Sequence, residues 1–529
     1  MGLYRPMEVY TFSLVSQDPF FSPHQYKMRL LTGFVLLVRL STDVIAQDAV
    51  PQVYPSKPGD NASLQACTKL KAKFPTNYVD ASYGSNYTTK INFNWSTNCD
   101  LPAACIFMPN NADQVARGIS IVAKAGAKFA VRNGGHNPNV GFASTNGGVL
   151  FDMSGLNSIT SSSDGSTVTT GSGNTGGALQ KYADSLGRSV VTGIDTAPGI
   201  TGLVTLGGYT HFSQLHGLPT DNVENFEVVL GDASIVNANA SHNVDLYRSL
   251  RGGGNNFGVV TRLTLRTSQV RNVWYTLYLL EPSNYIKYMH AIDQIHVGME
   301  KDPKANIEIL ASAQGFQVAL WYAEHATTPS IFAPLLEFLP GAQVVAPPTN
   351  GTIFEIMQAM SSTKPPMVRM IDSIVHKPDV NLYIALFEEL LRQTPAAGKN
   401  TDLVLAIKPM GSRFPRVGTE RAGGVANSLN MQSVPQVWTS VLAQYEDEKD
   451  HDIMFTKLKS MDAWLRTYAR HHGDLLLPNL FGNDAGSHQN VISSYGPENV
   501  ARLKKTSWKY DSMQVFQKLQ TNGFLVSRA

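Results

Sequence analysis

The sequence predicts an α+β fold with more than one domain, on three observations. Helical and strand-like patterns alternate between about residues 111 and 267. From about residue 273 the chain changes to longer helical patterns mixed with short strands, which indicates a separate unit. Finally, 529 residues with 43% apolar side chains are enough to bury more than one core.

The first unit begins with a predicted helix that feeds a strand. From Asn111, apolar residues recur at helical spacing, and the pattern stops at Gly126, where a helix can end. A strand at residues 128–131 then leads into the stretch at 132–137, which reads RNGGHN. Its paired glycines lack the side chains that would hold the backbone away from a bound group, so its amides can cradle a phosphate.

The remaining elements follow from the same patterns. Strands are predicted at 149–152, 166–170 and 190–191, with a further strand through Leu263 and Leu265. Helices are predicted at about 178–186, 382–391 and 454–470. The tail at 494–516 carries Pro497, which suits the first turn of another helix. The first unit is therefore expected to end near residue 270.

The N-terminal region carries a predicted secretion leader. Arg29 precedes the apolar run at 30–38, and small residues suited to signal-peptidase cleavage follow at 44–46. That run is about half the ~20 residues of a membrane-spanning helix, so we expect no stable membrane anchor. Residues 1–27 mix charges and prolines, unlike a signal peptide, which suggests that translation starts at Met28 and that 28–46 is the leader.

Sequons and cysteines also fit the secretory pathway, where glycans are added and disulfides persist. Three cysteines lie close together in the sequence and predict one disulfide, with Cys67 and Cys105 as the preferred pair and Cys99 as the alternative partner. The five predicted glycosylation sites are Asn61, Asn86, Asn94, Asn239 and Asn350.

The charge pattern argues against nucleic acid as a partner. The 43 basic and 41 acidic residues leave a formal net charge of +2, with no long run of either sign, whereas a nucleic-acid footprint needs clustered basic residues. No cysteine or histidine spacing matches a zinc or iron–sulfur site, so no metal is expected. The oligomeric state stays open.

The stretch at 171–176, GSGNTG, matches the dinucleotide-binding pattern G-x-G-x-x-G, and Asp195 follows at a suitable distance. The strand before it, at 166–170, is polar and alternating, whereas the corresponding parallel strand of a dinucleotide fold is a nearly continuous apolar run. We therefore interpret the stretch as a glycine-rich turn between a strand and a helix.

A set of motifs spread over the chain resembles one enzyme family. The stretches RNGGH at 132–136 and VLFDMS at 149–154 resemble the flavin-attachment region of berberine-bridge-enzyme-like, FAD-linked oxidoreductases. Those enzymes have a vanillyl-alcohol-oxidase or PCMH-type FAD-binding domain. Further blocks at 171–186, 206–223, 250–260 and 483–517 occur in the family's order with comparable spacing. The resemblance covers roughly residues 62–526 and is to the fungal secondary-metabolism type.

The resemblance implies a two-part FAD-binding domain, formed by an N-terminal region and the C-terminal tail, with an inserted α+β substrate domain over the flavin. The implied boundaries are a leader at 1–46, an N-terminal segment at 47–98, the FAD-binding domain at 99–270, the substrate domain at 271–475 and a C-terminal segment at 476–529.

The same resemblance implies roles for individual residues. His136 would bond to the 8α-methyl carbon of FAD, which makes the cofactor covalent. The residues that would wrap the pyrophosphate are Asn133, Gly134, Gly135 and Asn137. The other implied FAD contacts are Gly202, Gly207, Gly208, Val260 and Asn483.

Two departures from the family bear on chemistry. Many relatives carry a cysteine that makes a second flavin bond, but residues 196–208 contain none, so a single covalent bond is expected. Relatives often place a tyrosine two residues before the C-terminal asparagine as or near the base, where this chain has Phe481, which cannot take a proton. The catalytic base stays unassigned, with Tyr209, His211 and His216 as candidates.

The implied activity is oxidation of a small molecule, a secondary-metabolite intermediate, by hydride transfer to FAD, which dioxygen then reoxidises. Two alternatives stay open: a flavin dehydrogenase that uses another electron acceptor, and a flavin-binding protein without turnover. In each case we expect a secreted glycoprotein or a protein of the secretory-pathway lumen.

Overall fold

The computed structural model describes residues 59–361, 365–394 and 401–529. The predicted leader at 1–46, its start at Met28 and the first part of the N-terminal segment, 47–58, lie outside the described residues. The described part mixes helices and sheets, which confirms the α+β fold. The domain boundaries stay predictions.

A small four-stranded sheet carries the predicted glycine-rich loop. Its strands are β1 (Tyr78–Val79), β2 (Cys105–Phe107), β3 (Phe129–Arg132) and β4 (Val149–Asp152), in the order β1-β2-β4-β3. Strands β2, β4 and β3 run parallel to one another. Helices α1 (Asn61–Lys73), α2 (Ser85–Ile91) and α3 (Ala112–Ala125) accompany it. The Asn111 side chain caps α3, and Gly126 ends it at a φ of 68°, as the sequence predicts.

A second sheet follows in the chain. Its strands are β5 (Ile159–Ser161), β6 (Thr167–Gly171), β7 (Ser189–Val190), β8 (Val223–Val229), β9 (Ile235–Asn239) and β10 (Val259–Ser268). Its helices are α4 (Gly176–Ser185), α5 (Ile200–Thr205), α6 (Ser213–His216) and α7 (Val244–Leu250). The pairings are antiparallel, and β6 lies between β5 and β10. The GSGNTG turn therefore follows an antiparallel strand, unlike a dinucleotide fold.

The largest sheet has seven antiparallel strands in the order β14-β11-β13-β12-β16-β17-β15. They are β11 (Asn272–Leu280), β12 (Ala305–Ser312), β13 (Gly315–Tyr322), β14 (Gln343–Thr352), β15 (Val368–His376), β16 (Thr401–Met410) and β17 (Gln436–Tyr445). Its helices are α8 (Tyr285–Met299), α9 (Ala333–Leu336), α10 (Ile353–Met360), α11 (Val380–Gln393), α12 (Phe414–Arg421) and α13 (His451–His471). Apolar side chains of α8, α11 and α13 pack with this sheet in one core.

The C-terminal segment returns to the first sheet. It contains α14 (Val491–Ser494), α15 (Pro497–Tyr510) and α16 (Val515–Lys518). After α16, the Phe129 amide donates to the Leu519 carbonyl at 3.0 Å, and the Thr521 amide donates to the Phe129 carbonyl at 2.9 Å. These two bonds add the tail to the edge of β3, so the two ends of the described chain build one unit.

One disulfide joins α1 to β2 through Cys67 and Cys105, which confirms the preferred pair. Cys99 is a free, buried thiol. No helix within the described ranges is long and apolar enough to cross a membrane.

The five sequons differ in how accessible their asparagines are. Asn61, Asn86 and Asn350 are exposed, and Asn239 is half-buried. Asn94 is also half-buried, and its Nδ2 donates to the Cys99 carbonyl at 3.0 Å and to Asp100 Oδ1 at 2.9 Å. A glycan on that nitrogen would have to displace both bonds, so Asn94 is the least favourable of the predicted sites.

Loss of the disulfide is expected to lower the melting temperature. Its two cysteines are 38 residues apart, and closing a loop of that length stabilises the folded state by roughly 3–4 kcal/mol in the chain-entropy account. Differential scanning fluorimetry of a Cys67→Ser/Cys105→Ser double variant checks this. Reductant should lower the melting temperature of the wild type but not of the variant. Equal melting temperatures in the two non-reduced proteins would contradict the expectation.

Candidate active site

A cavity of about 310 Å³ lies where the three sheets and the C-terminal segment come together. Eight of the ten residues predicted to contact FAD line it: Asn133, Gly134, Gly135, His136, Asn137, Gly202, Val260 and Asn483. They come from the loop after β3, from α5, from β10 and from the C-terminal segment. The structure thus brings together residues that are up to 350 positions apart in the sequence (133 to 483).

The loop after β3 owes its position to glycine. A Cβ on Gly134 would lie 2.2 Å from the backbone nitrogen of Gly199, so only glycine permits this approach. Gly135 has a φ of 62°, which a side chain would disfavour. The Asn133 side chain donates a 2.6 Å hydrogen bond to the Ser172 carbonyl. The loop therefore holds His136 at the cavity wall on a fixed backbone.

Gly207 and Gly208 are not among the described residues that line the cavity. Both have positive φ, and a Cβ on Gly208 would lie 2.7 Å from the Pro219 ring. The turn that they form contacts Asn483, because the Gly208 amide donates to Asn483 Oδ1 at 2.9 Å. Asn483 Nδ2 in turn donates to the Leu203 carbonyl at 3.1 Å. Gly208 thus holds a residue that lines the cavity, and the predicted contacts of Gly207 and Gly208 with FAD stay predictions.

Tyr209 is the candidate base that lies at the cavity. Its hydroxyl donates to the Ile307 carbonyl at 3.4 Å. Burial raises the pKa of Tyr209 well above its ordinary value, and the nearby Glu308 carboxylate adds to this effect. The phenol is therefore protonated at neutral pH, and its place in the cavity lining keeps Tyr209 among the predicted candidates.

His211 and His216 are absent from the described cavity lining. The His211 ring packs edge to face on Trp321 with centroids 5.1 Å apart, and burial lowers its pKa to about 3. His216 Nε2 lies 3.2 Å from Ser268 Oγ, and burial lowers the pKa of His216 to about 4. Both therefore lie outside the described cavity lining, and the structure does not bring them together with the predicted FAD contacts.

An ionic cluster of Glu308, Lys408 and Asp484 lines the same cavity, and sequence reasoning missed it. Lys408 Nζ lies 2.5 Å from Asp484 Oδ2 and 3.9 Å from Glu308 Oε1. Ser440 on β17 donates a 2.6 Å hydrogen bond to the same oxygen of Asp484. Asp484 is therefore held firmly, while Glu308 has a looser contact with the ammonium group.

Strand register explains why Glu308 and Lys408 meet. Ile309 on β12 pairs with Ile407 on antiparallel β16, so the next positions, Glu308 and Lys408, face each other on one side of the sheet. In both strands the charged residue interrupts an apolar run. A buried charge in an apolar strand is costly unless it is paired, and this is the sequence signal that could have marked both residues.

The surroundings of Glu308 bring the pKa of its carboxyl group close to neutral pH. Burial raises the pKa of Glu308 to about 7. The Lys408 ammonium opposes this rise, while the carboxylates of Asp484 and Asp195 reinforce it. Although burial alone would lower the pKa of Lys408, the two neighbouring carboxylates raise it, so the lysine stays charged. A carboxyl group that titrates near pH 7 is suited to take a proton from a substrate.

Phe481, at the position where relatives often have tyrosine, packs against the Trp438 ring with centroids 4.4 Å apart. Lys408 Nζ lies 5.8 Å from the centroid of the Phe481 ring. The side chain thus forms an apolar wall beside the ionic cluster and cannot exchange a proton itself.

Comparison with known proteins agrees with this geometry. Residues 103–239 match a family model described as an FAD binding domain. An FAD-dependent monooxygenase from Arthrobotrys oligospora is 32% identical over 456 residues, which span 84% of this chain and 86% of that protein.

Two solved structures share the fold. The berberine-bridge-enzyme-like protein 1 of Physcomitrella patens superposes with a TM-score of 0.71 at 17% identity, over 87% of this chain and 99% of its own. A glucooligosaccharide oxidase from Acremonium strictum gives a TM-score of 0.70 at 15% identity, over 85% of this chain and 97% of its own. The chain belongs to the family of FAD-dependent oxidoreductases that includes these fungal FAD-dependent monooxygenases, and it shares its fold with berberine-bridge-enzyme-like proteins.

Proposed function

We propose that the protein oxidises a small secondary-metabolite intermediate with FAD held covalently by His136, and that dioxygen reoxidises the cofactor. The observation that carries the proposal is the cavity, in which the predicted attachment residue and a carboxyl group with a pKa near 7 line the same space. The remaining support comes from the residues that would hold the cofactor and from those that would move a proton.

The residues at the cavity suit FAD. A Cβ on Gly202 would meet no atom within 4 Å, so this helical residue leaves open space toward which a cofactor can approach. The loop with Gly134 and Gly135 offers backbone amides to a pyrophosphate, and Asn133 and Asn137 flank it. Val260 in β10 lines the same cavity and suits the adenine.

The nucleophiles present favour a single covalent bond to the flavin. The glucooligosaccharide oxidase named above has 6-S-cysteinyl, 8α-N1-histidyl FAD, which joins two side chains to one flavin. In this chain Cys67 and Cys105 form a disulfide and Cys99 is buried, and the described cavity lining includes none of the three. Among the described residues that line the cavity, His136 is thus the one histidine or cysteine that can attach the flavin.

The chain's own residues supply proton transfer and orientation. FAD, when bound, accepts a hydride from the substrate and passes the electrons onward. Glu308, when ionised, takes the proton of a substrate O–H or N–H group as the neighbouring C–H bond loses its hydride. Lys408 keeps a positive charge beside Glu308 and favours the ionised carboxylate. Tyr209 lines the same wall, where its hydroxyl donates to the Ile307 carbonyl and its ring contributes an apolar surface beside the substrate.

The cavity walls indicate the kind of substrate. Aromatic residues line much of the cavity, namely Phe142, Tyr209, Phe481, Phe516 and Phe524. The charged residues of the lining are three carboxylates, Asp195, Glu308 and Asp484, and one ammonium, Lys408, so a negatively charged substrate group beside this cluster would be repelled. A neutral, largely apolar molecule with one oxidisable hydroxyl or amine group fits these walls best.

Secretion belongs to the same proposal. The described N-terminal part carries a disulfide and exposed sequons at Asn61 and Asn86, which suit the secretory pathway. N-terminal sequencing of the protein from the culture medium tests this, because a leader at 28–46 predicts a mature chain that begins near residue 47.

Replacing His136 with alanine is expected to abolish covalent flavin. After acid precipitation, the wild-type pellet should keep its visible flavin absorbance, whereas the His136→Ala pellet should be colourless even if the folded variant binds FAD. His242→Ala is the matched control, since His242 is exposed on a turn after β9. A yellow His136→Ala pellet would place the bond on another residue.

Oxidation by dioxygen is expected to release one hydrogen peroxide per substrate molecule. A panel of aromatic and allylic alcohols and amines, supplied with ¹⁸O₂, separates the candidate functions. A monooxygenase, as the names of the relatives suggest, would place ¹⁸O in the product. A dehydrogenase would turn over only with an added electron acceptor. Flavin that no member of the panel reduces under anaerobic conditions would favour a binding protein.

Substitution of Glu308 is expected to remove the pH dependence of substrate oxidation. Since the base must be ionised, kcat/KM should rise with pH through about 7 and level off above it. Glu308→Gln should lower kcat by about 10²–10⁴-fold and lose this rise. Glu324→Gln is the control, because Glu324 is an exposed partner of Lys304. A variant that keeps the wild-type pH profile would exclude Glu308 as the base.

A further inference from the structure

The imidazole of His136 stacks on an aromatic side chain from another part of the chain. Its ring centroid lies 4.7 Å from that of Trp95, and the two ring planes differ by only 10°. The guanidinium of Arg369 lies 4.9 Å from the centroid of the Trp95 ring. The three side chains come from the segment before β2, the loop after β3 and the start of β15, so the stack joins distant parts of the sequence.

Backbone contacts fix Trp95 relative to His136. The Trp95 amide donates a 2.9 Å hydrogen bond to the carbonyl of Gly135, which directly precedes His136. Gly135 adopts a φ of 62°, so the direction of that carbonyl depends on a backbone conformation that glycine favours. A backbone hydrogen bond therefore links the Trp95 and His136 segments in addition to the contact between their rings.

Arg369 in turn fixes Trp95 to the largest sheet. Its guanidinium donates to the Trp95 carbonyl and, at 3.0 Å, to the Pro365 carbonyl. Its backbone amide donates to Ser96 Oγ at 2.6 Å. The Arg369 side chain is buried, and although burial lowers its pKa to about 10, it stays charged at neutral pH. A cation over an aromatic face holds that ring more strongly when both are shielded from water.

This arrangement restricts how the imidazole can turn. A histidine on a surface loop samples several rotamers, and only a few of them direct a ring nitrogen at a given point. Because the Trp95 ring covers one face of the His136 imidazole, the imidazole keeps its plane, and both of its nitrogens stay in that plane. Bond formation between held groups is faster than between freely rotating ones, because the orientation is set in advance.

We propose that Trp95 is a positioning residue for the attachment of FAD to His136, and that Arg369 holds Trp95 in place. The inference rests on the covalent bond of the proposed function. In that reaction the imidazole N–H and one C–H of the flavin 8α-methyl group are replaced by a C–N bond. The two electrons and two protons released pass to dioxygen, which becomes hydrogen peroxide. Trp95 exchanges no atoms or electrons and only restricts the ring.

The test measures the rate at which bound FAD becomes covalent. Full-length wild type and variants are produced under riboflavin limitation, incubated with FAD in air, and sampled over time for flavin in the acid-precipitated pellet and for total bound flavin. For Trp95→Ala we expect the covalent rate to fall roughly 3- to 10-fold, the range set by one aromatic pair, with total binding retained. Trp95→Phe keeps a ring face and should stay within about twofold of the wild type.

Two further variants keep the test decisive. Arg369→Met retains an apolar stem but loses the charge and the hydrogen bonds, so its rate should fall between those of Trp95→Ala and the wild type. If Trp95→Ala does not fold, the covalent rate of Arg369→Met tests the positioning role instead. Trp464→Ala is the matched control, because Trp464 is also half-buried and stacked, on Tyr468 of α13, and its loss should leave the covalent rate unchanged.

The outcomes separate this inference from the proposed function. A colourless wild-type pellet would overturn covalent attachment and the positioning role with it. A yellow wild-type pellet, with Trp95→Ala and Arg369→Met labelled at the wild-type rate, would overturn the positioning role alone. Slower labelling in both variants, with rescue by Trp95→Phe and unchanged total flavin, supports it, since a merely structural role would lower total binding together with the covalent fraction.

Discussion

The cavity exists because two backbone segments touch where no side chain has room. A Cβ on Gly134 would lie 2.2 Å from the Gly199 nitrogen, and a Cβ on Gly199 would lie 2.5 Å from the Gly134 nitrogen. Backbone atoms cannot move aside as flexible side chains do, so both positions require glycine. This contact sets the loop that carries His136 beside the start of α5. The remaining walls are built around a backbone that is already fixed.

The C-terminal segment closes the site from the other side. Asn139, three residues after His136, donates to the Ala485 carbonyl at 2.8 Å and accepts from the Ser487 amide at 2.7 Å. Asn483 and Asp484, next to these contacts, face the cavity. Because buried polar groups must be paired, these bonds specify one arrangement of the segment. The same stretch of chain thus holds the attachment loop and contributes part of the ionic cluster.

Burying Glu308, Lys408 and Asp484 together is expensive for stability. Removing charges from water costs several kcal/mol per ion, and pairing recovers this only when the contacts are close. Here Asp484 is closely paired with Lys408, whereas Glu308 is not. Groups whose protonation is perturbed by burial beside a specific charge are frequent at functional sites. The incomplete pairing of Glu308 therefore fits a group that must gain and lose a proton.

The sequence by itself determined the local features of this protein. It predicted the helix between Asn111 and Gly126, the glycine-rich loop with His136 and the Cys67–Cys105 disulfide, because caps, positive-φ turns and nearby cysteines act over short distances. Family resemblance supplied eight residues that line the cavity. Only the tertiary structure showed that Glu308 and Lys408 meet across β12 and β16, that His211 and His216 pack elsewhere, and that Trp95 stacks on His136. These relations depend on strand register and on contacts between distant segments, which local patterns do not encode.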